Sequence, residues 1–301
     1  MALTGQRPPA ATSAAALPAQ DFGLADVVVA LTEQQCAFFH REGYLALPAI
    51  TTASEVERLR TIYEHLFEQR TGWKDGNYLD FAGPDGGSAH LPQILMPSFY
   101  EPALRQTRLF SNCLGIARQL LGPSAEFVFD HAMTKPARGG LPTPWHQDKA
   151  FYTTQTTHEA ITFWVPLQPV TRESGCLRFI PRSNHGPILS HRHLNNDPHV
   201  HGLEALNVDE KKAVSCPLPA GGATIHHHRT LHGAEANVAG EHRWAYAMGF
   251  GIKPPVPTVM REYTWNRSVL TDRELRYVSS LNRWGRLKYR LRSRLVYWGF
   301  W

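Results

Sequence analysis

An all-β barrel or jelly roll, with helices packed against one of its sheets, is the fold that the sequence predicts. From Glu126 to Lys253, short runs rich in β-branched and aromatic residues alternate with turn-forming segments, a spacing typical of barrels and sandwiches. The chain before Glu126 instead contains segments whose apolar residues recur at helical spacing. The length of 301 residues and the apolar content of 43% suit one such domain with a normal core.

The two ends of the chain differ from this central part in composition. Residues 1–22 are rich in Ala, Pro, Thr and Ser and lack the apolar run of a signal peptide, so we expect a disordered arm. We expect residues 23–272 to form a single barrel domain that includes its N-terminal helices. Residues 273–301 are expected to form a separate basic amphipathic helix.

Capping residues mark the first two helices. Thr32-Glu-Gln-Gln35 has the form of a capping box and opens a helix that Gly43 ends. The residues Tyr44–Pro48 then predict the first strand. Thr52 caps a second helix that runs to about Gln69, and its apolar residues keep helical spacing.

A long loop and a third helix precede the β-rich region. Gly72–Ser88 is full of Gly and Asp, which predicts a long loop of the kind that covers functional sites. Glu101–Leu121 predicts the third helix, ended by Gly122. His185–Leu218 has few strand signals and many His, Asn and Asp residues, so we interpret it as an inserted active-site loop. The predicted strands are Phe127–Thr134, Trp145–Tyr152, Ala160–Pro166, Cys176–Ile180, Ala223–His228 and Arg243–Lys253.

The C-terminal segment carries an apolar stripe surrounded by basic residues. The stripe keeps 3/4 spacing and consists of Tyr277, Leu281, Trp284, Leu287, Leu291, Leu295 and Trp298. We expect this stripe to pack on the barrel or on a second subunit, because apolar helix faces usually serve packing, so the chain is expected to be a monomer or a homodimer. The alternative is that the basic helix lies on an acidic membrane surface.

Charge and cysteine content exclude several classes of protein. The net charge of +5 is modest and much of it lies at the C-terminus, which argues against a nucleic-acid-binding surface over the whole protein. The four cysteines form no Cys-x-x-Cys pair and are expected to be reduced thiols in a cytoplasmic protein. No run reaches the roughly 18 apolar residues of a membrane span.

The candidate metal ligands begin with His146 and Asp148, in Thr143-Pro-Trp-His-Gln-Asp148. In an extended strand, side chains two positions apart point to the same face. His146 and Asp148 would therefore face the interior together, while Gln147 points away. An imidazole and a carboxylate on one face supply two of the three ligands of a facial two-His, one-carboxylate site, which suits non-haem Fe(II) oxygenases.

The third ligand is expected from a downstream cluster that contains His226, His227, His228 and His232. Arg243 follows His232 after a segment of turn composition, and a hairpin centred near Asn237 and Val238 would place the two side chains opposite each other on one face. A buried Arg needs an anion and its planar fork suits a carboxylate. The cosubstrate 2-oxoglutarate would supply that anion while chelating the metal at its other end. This geometry favours His232 as the ligand, with His227 as the next candidate.

A less specific interpretation remains open for the same residues. His226–His228 could be an adventitious metal-binding run, and Arg243 could pair with an Asp or a Glu. The oxygenase interpretation is favoured, because the spacings of His146 to Asp148, of the downstream histidines and of Arg243 agree with one mechanism.

With these motifs in view, the chain resembles the phytanoyl-CoA dioxygenase family of Fe(II)/2-oxoglutarate oxygenases. The matching segments are Leu31–Pro48, Thr134–Pro136, Trp145–Asp148, Glu173–Gly186 and the stretch from His232 to Arg243. The resemblance implies a double-stranded β-helix, Fe(II) held by His146, Asp148 and His232, and Arg243 on the cosubstrate carboxylate. It also implies that Trp164 packs near 2-oxoglutarate and that His131 stands where many relatives contact the cosubstrate. One departure is Ala245, where some relatives carry a Ser or Thr that helps hold the same carboxylate.

The function expected from these residues is oxygenation of a small molecule. Dioxygen would take the remaining metal position, 2-oxoglutarate would be converted to succinate and CO2, and a natural-product substrate would be hydroxylated, desaturated or cyclised. One alternative is a zinc-dependent hydrolase, because Zn²⁺ also accepts two His and one carboxylate, although no His-Glu-x-x-His motif is present. The other alternative is a non-catalytic barrel that binds a small molecule, which the triad and Arg243 together argue against.

Overall fold

The computed structural model describes residues 29–83, 90–151, 159–252, 263–266 and 269–297. The helices are α1 (Glu33–Glu42), α2 (Ala53–Glu68), α3 (Pro97–Tyr100), α4 (Arg108–Leu121), α5 (Asp272–Ser280) and α6 (Arg283–Tyr297). The strands are β1 (Tyr44–Leu47), β2 (Tyr78–Asp80), β3 (Pro92–Leu95), β4 (Glu126–Lys135), β5 (Thr143–His146), β6 (Glu159–Pro166), β7 (Leu177–Phe179), β8 (His191–His193), β9 (Leu203–Ala205), β10 (Val214–Ser215), β11 (Ala223–His227), β12 (His232–Ala234) and β13 (Arg243–Ile252). The predicted N-terminal arm, residues 1–22, lies outside these ranges.

Two antiparallel sheets form the body of the molecule. The larger sheet has seven strands in the order β1-β11-β6-β13-β4-β3-β2, and the smaller has four in the order β10-β7-β12-β5. Strands β8 and β9 form a separate hairpin-like pair. The two principal sheets are those of a jelly roll, so the predicted all-β core with flanking helices is confirmed.

The large sheet separates an apolar helical layer from the interior of the barrel. Alternate residues of its strands point to opposite faces. Phe163, Ile225 and Met248 face the helices and belong to the main core with apolar residues of α1, α2 and α4. Trp164 and Ala245 lie on the other face, in a second cluster with residues of the small sheet. The polar side chains of the candidate site can therefore occupy the interior without interrupting the main core.

The first two helices begin and end where the sequence predicts. Thr32 caps α1 in a capping box with Gln35, and Gly43 ends the helix with a φ of 82°. Thr52 caps α2. The third predicted helix, Glu101–Leu121, is too long at its start. A short 3-10 turn occupies Pro102–Arg105, and α4 begins only at Arg108 because the Thr107 side chain accepts a hydrogen bond from Phe110 N.

Two segments predicted as loops contain strands. The Gly72–Ser88 segment contributes β2, which pairs with β3 at the edge of the large sheet, and residues 84–89 lie outside the described part. The predicted insertion His185–Leu218 contains β8, β9 and β10. These strands have two or three residues each. They are stabilised by hydrogen bonds to neighbouring strands and not by local composition, so the sequence pattern did not predict them. The four cysteines are free thiols, as expected.

The C-terminal segment forms two helices rather than one. Helix α5 ends at the extended residue Leu281, and Asn282 Oδ1 accepts a hydrogen bond from Gly285 N to start α6. Helix α5 packs on the body through Arg276, whose Nε donates to Trp73 O at 2.7 Å. Helix α6 does not bury Trp284 on the barrel, since this residue is 73% exposed, and packing of the stripe on a second subunit stays a prediction. Within the described ranges, no helix has the length and apolarity that crossing a membrane requires.

Candidate active site

The three predicted metal ligands converge in the interior of the barrel. His146 is the last residue of β5, His232 is the first residue of β12, and the two are directly paired in the small sheet. Asp148 Oδ1 lies 3.8 Å from His146 Nε2 and 3.5 Å from His232 Nε2. The two imidazole rings have centroids 4.1 Å apart. Three donor atoms this close together could hold one metal ion.

Asp148 reaches this position by a turn, not by the extended strand that the sequence predicted. Strand β5 ends at His146, and Asp148 begins a 3-10 turn over Asp148–Phe151. Lys149 N donates to His228 O at 2.8 Å, which anchors this turn to the end of β11. Gln147 points away from the triad as predicted, and its Nε2 donates to Arg229 O at 2.6 Å.

Hydrogen bonds orient both histidines towards a common point. Nδ1 of His146 lies 2.8 Å from Pro144 O, and Nδ1 of His232 lies 2.9 Å from Thr230 O. A carbonyl accepts only from a protonated ring nitrogen, so Nδ1 carries the proton and Nε2 presents its lone pair to the centre. Burial also lowers the pKa of both imidazoles, which keeps them neutral. Neutral imidazoles are the form that binds metals.

The second oxygen of Asp148 is held by two residues that the sequence did not single out for this role. Thr162 Oγ1 donates to Asp148 Oδ2 at 2.7 Å, and His226 Nε2 lies 3.2 Å from the same oxygen. Burial acts to raise the pKa of Asp148, but the surrounding histidines and the His226 hydrogen bond lower it well below its ordinary value. Strand periodicity could have identified both residues, because alternate residues of a strand face the interior. His226 and Thr162 are directly paired on the neighbouring strands β11 and β6.

Arg243 is not paired with His232 in a hairpin, contrary to the prediction. Strand β12 lies in the small sheet between β5 and β7, whereas β13 lies in the large sheet and pairs Arg243 with Lys135. The connection between these strands crosses from one sheet to the other, and Asn237 fixes it by donating to Lys135 O and Glu241 O. A crossing connection and a hairpin have the same turn composition, so the sequence could not distinguish them.

Arg243 nevertheless lies inside the barrel, beside Trp164. It is 4% exposed, and its guanidinium carbon lies 5.2 Å from the centroid of the Trp164 ring. Its Nε and Nη1 have no hydrogen-bond partner among the described residues. Burial lowers the pKa of Arg243 to about 9. The alternative in which Arg243 pairs with an Asp or Glu is not found within the described part of the chain.

A second buried cation stands opposite Arg243. Lys135 is fully buried, and its Nζ donates to the backbone carbonyl of Glu235 at 2.6 Å. Burial and then the positive charge of Arg243 lower the pKa of Lys135 well below its ordinary value. An anion bound at Arg243 would relieve both the desolvation of the guanidinium and its repulsion with Lys135.

His131, the remaining predicted site residue, lies on β4 beside Phe129, with ring centroids 5.0 Å apart. Burial lowers its pKa to about 4, while Asp148 opposes that shift and Arg273 adds to it. His131 is thus within electrostatic range of the triad. No hydrogen bond from it to the triad is present among the described residues.

A second group of residues whose donor atoms could hold a metal ion lies at the ends of β6 and β11. His227 Nε2 and His228 Nε2 lie 2.7 Å and 3.5 Å from Glu159 Oε2. The Glu159 side chain is largely exposed, unlike Asp148, and His227 points to the opposite face of β11 from His226. The buried Lys149 lies near this group, but the exposed Glu159 makes the group the weaker candidate, so the triad is the better candidate for a catalytic metal.

The chain was compared with known proteins. Residues 39–245 match the family model described as Phytanoyl-CoA dioxygenase (PhyH). A probable alpha-ketoglutarate-dependent hypophosphite dioxygenase of Stutzerimonas stutzeri is 26% identical over 68% of this chain and 73% of the relative. The L-proline trans-4-hydroxylase of Streptomyces griseoviridis is 28% identical over 68% of this chain and 81% of the relative. The crystal structure of EvdO2 from Micromonospora carbonacea var. aurantiaca, complexed with 2-oxoglutarate, is 33% identical, with a TM-score of 0.67 over 81% of this chain and 100% of that chain.

Proposed function

The chain belongs to the phytanoyl-CoA dioxygenase family of Fe(II)- and 2-oxoglutarate-dependent oxygenases, and from that premise we propose that it hydroxylates, desaturates or cyclises a small-molecule natural product. The observation that carries the proposal is the buried Arg243, whose Nε and Nη1 have no hydrogen-bond partner among the described residues. It lies on the large sheet, and the His146, Asp148 and His232 triad belongs to the facing small sheet and the turn that follows it. A metal site and a desolvated cation in one interior match the two ends of a keto acid.

The donor set fits Fe(II). His146 Nε2, His232 Nε2 and Asp148 Oδ1 would hold the ion as two neutral nitrogens and one carboxylate oxygen, and such a set leaves adjacent positions open. When bound, the iron and 2-oxoglutarate supply activated dioxygen, with release of succinate and CO2. Thr162 and His226 keep Oδ2 of Asp148 occupied, so that Oδ1 is the oxygen turned towards the ion.

Arg243 would bind the carboxylate of 2-oxoglutarate that is remote from the metal. Its planar fork can donate two parallel hydrogen bonds to a carboxylate, and Trp164 covers the guanidinium and excludes water. Ala245 offers no hydroxyl to this carboxylate, so the guanidinium carries more of the binding than in relatives with Ser or Thr at that position. In a site with low dielectric, such a charged contact is stronger than it would be in water.

The primary substrate is proposed to be a free small molecule. The names of two relatives state hypophosphite and L-proline as their substrates, and both are small and not attached to a carrier. A zinc-dependent hydrolase is disfavoured, because the second carboxylate of 2-oxoglutarate directly accounts for the buried Arg243, whose Nε and Nη1 have no hydrogen-bond partner among the described residues. A non-catalytic binding barrel would not need the hydrogen bonds that orient His146, His232 and Asp148.

Succinate release tests the proposal. The protein is incubated with Fe(II), 2-oxoglutarate and a library of small molecules, and both succinate and substrate mass shifts are measured. His146→Ala, Asp148→Ala and His232→Ala should each abolish succinate formation while the protein stays folded. His227→Ala is the matched control, because it removes a histidine of the second group at the end of β11 and should keep most of the activity.

Two outcomes would contradict the proposal. Full activity in any one of the triad variants would refute the assigned ligands. Absence of succinate from the wild type across the library, together with absence of 2-oxoglutarate binding, would refute the oxygenase itself and return the zinc-dependent hydrolase to consideration.

A further inference from the structure

A third buried cation, Arg273, belongs to the C-terminal region. It lies in the first turn of α5 and is only 7% exposed. Its Nη1 donates to Gly76 O at 3.0 Å, while its Nε has no hydrogen-bond partner among the described residues. The backbone of this turn of α5 packs directly against Gly76, where an added Cβ would lie 2.5 Å from Arg273 O. The position of the guanidinium is therefore fixed by backbone contacts.

Two aromatic rings contact a proposed iron ligand, His146. Phe81 and Phe151 have ring centroids 6.1 Å and 5.8 Å from that of His146. The His201 ring lies against both, at 6.2 Å from Phe81 and 5.8 Å from Phe151. Phe81, Phe151 and His201 form what we call the aromatic compartment, next to His146.

Backbone contacts bring Arg273 close to this compartment. Asp272 N donates to His199 O at 2.9 Å, two residues before His201, and Arg273 Nη1 donates to Gly76 O. After burial, Arg273 contributes most to lowering the pKa of His201, and it also lowers that of His131. Arg273 stands between Asp272 and Glu274 in sequence. Glu274 acts on the pKa of Arg273, but its Oε2 already accepts hydrogen bonds from N and Oγ1 of Thr271. A desolvated guanidinium therefore lies close to the His201 end of the aromatic compartment, and Arg273 forms no ion pair within the described residues.

The cosubstrate cannot supply the anion that Arg273 lacks. In the proposed function, one carboxylate of 2-oxoglutarate binds the metal and the other binds Arg243, so both of its charges are used. Burying a guanidinium without an anion costs desolvation free energy, and binding a ligand that carries an anionic group offsets that cost. Dioxygen is uncharged, so the primary substrate is the remaining reactant that could bring an anion.

We propose that Arg273 binds an anionic group of the primary substrate, a carboxylate or a phosphate or sulfate ester, with the apolar part of the substrate lying against Phe81 and Phe151. The proposal rests on the proposed function, and it narrows the substrate class to anionic small molecules. It also assigns a role to the C-terminal segment: α5 completes the substrate site, while α6 remains largely exposed.

The test uses simple anions, because the substrate is not identified. The full-length protein is loaded anaerobically with Fe(II) and saturated with 2-oxoglutarate, so that Arg243 is occupied. Inorganic phosphate, sulfate and acetate are then titrated by calorimetry at constant ionic strength. We expect millimolar binding of at least one anion, weakened tenfold or more in Arg273→Gln.

The matched control is Arg276→Gln, which removes another arginine that anchors α5 through Trp73 O. It should change anion binding less than twofold, although it loosens the same helix. If Arg273→Gln does not fold, Arg273→Lys keeps a charge and should bind the anion with intermediate affinity. Anion binding in Arg273→Gln equal to that of the wild type, or equal losses in Arg273→Gln and Arg276→Gln, would overturn the proposal.

The two proposals fail in different ways. If the oxygenase proposal is wrong, the wild type forms no succinate and does not bind 2-oxoglutarate. If only the role of Arg273 is wrong, 2-oxoglutarate binds and succinate forms, but no anion titrates in a manner that depends on Arg273. Once a substrate is found, its neutral methyl ester or dephosphorylated analogue should raise the Michaelis constant of the wild type. Arg273→Gln should raise the Michaelis constant for the anionic substrate by a similar factor.

Discussion

Thr162 Oγ1 donates a 2.7 Å hydrogen bond to Asp148 Oδ2, the carboxylate oxygen that is turned away from the histidines of the triad. His226 approaches the same oxygen at 3.2 Å. A carboxylate with one oxygen fixed in this way presents the other oxygen to a metal without losing rotational freedom on binding. The two contacts therefore form part of the metal site, although neither residue would touch the ion.

Thr162→Val tests this relationship. The change keeps the shape of the side chain and removes the hydroxyl, and losing an outer hydrogen bond to a ligand typically costs roughly 10- to 100-fold in metal affinity. Anaerobic titration with Fe(II) measures the loss. Thr224→Val is the control, because Thr224 is also buried on the neighbouring strand but its Oγ1 has no partner within the described residues. Equal affinities in Thr162→Val and wild type would show that the hydroxyl does not position Asp148.

Arg243→Ala should raise the Michaelis constant for 2-oxoglutarate far more than the constant for the primary substrate. Removing one member of a buried, hydrogen-bonded charge pair costs on the order of 2–5 kcal/mol. Trp164→Ala should act in the same direction but more weakly, because it removes the cover over the guanidinium and not the charge. Arg172→Ala, which breaks an exposed ion pair with Glu235, should leave both constants unchanged. An unaltered cosubstrate constant in Arg243→Ala would refute its role.

The site residues were predictable where the chemistry depends on local spacing. His146 and Asp148 are two positions apart, so either a strand or a tight turn brings them to one side. Helix starts at Thr32 and Thr52 were predictable for the same reason, because a capping side chain bonds to an amide only three residues away.

The parts that the sequence did not predict depend on contacts between distant segments. The start of α4 is fixed in part by Glu55, whose carboxylate accepts hydrogen bonds from Arg108 N and Leu109 N, both 2.8 Å long. The sheet that receives β13 depends on the Asn237 side chain and the carbonyls it binds. Such contacts leave no periodic trace in the sequence.

Gly43→Ala should lower the free energy of unfolding by roughly 2 kcal/mol or more, through strain at a positive φ and steric overlap. The φ at Gly43 is 82°, and an added Cβ would lie 2.5 Å from Asn184 Oδ1 and 2.6 Å from Thr230 Oγ1. Gly115→Ala is the matched control, since a Cβ there meets nothing within 4 Å. Because Gly115 lies inside α4, its replacement should stabilise the protein by roughly 0.5–1 kcal/mol. Urea unfolding measures both, and equal effects of the two changes would contradict the strain at Gly43.

Asp130 gives the protein a pH dependence of stability opposite in sign to that of most carboxylates. It is fully buried on the helical face of β4, where it accepts hydrogen bonds from Tyr246 Oη at 2.7 Å and Ser98 N at 3.2 Å. Burial raises its pKa from 3.8 to about 6 despite these donors. Between these two values the folded state binds more protons than the unfolded state, so stability falls as the pH rises through this window.

Asp130→Asn replaces the titrating carboxyl group with an amide, which neither binds this proton nor becomes negatively charged. The free energy of unfolding of the wild type, minus that of the variant, should therefore decrease by about 1 kcal/mol between pH 5 and pH 8. Urea unfolding at pH 5 and pH 8 and equal ionic strength measures this change. Any free energy lost with a hydrogen bond of Asp130 is the same at the two pH values, so it cancels from the comparison. Asp130 lies on the opposite face of β4 from His131, so 2-oxoglutarate affinity serves as an internal control and should not change. A difference that stays constant with pH would show that Asp130 is ionised in the folded protein throughout this range.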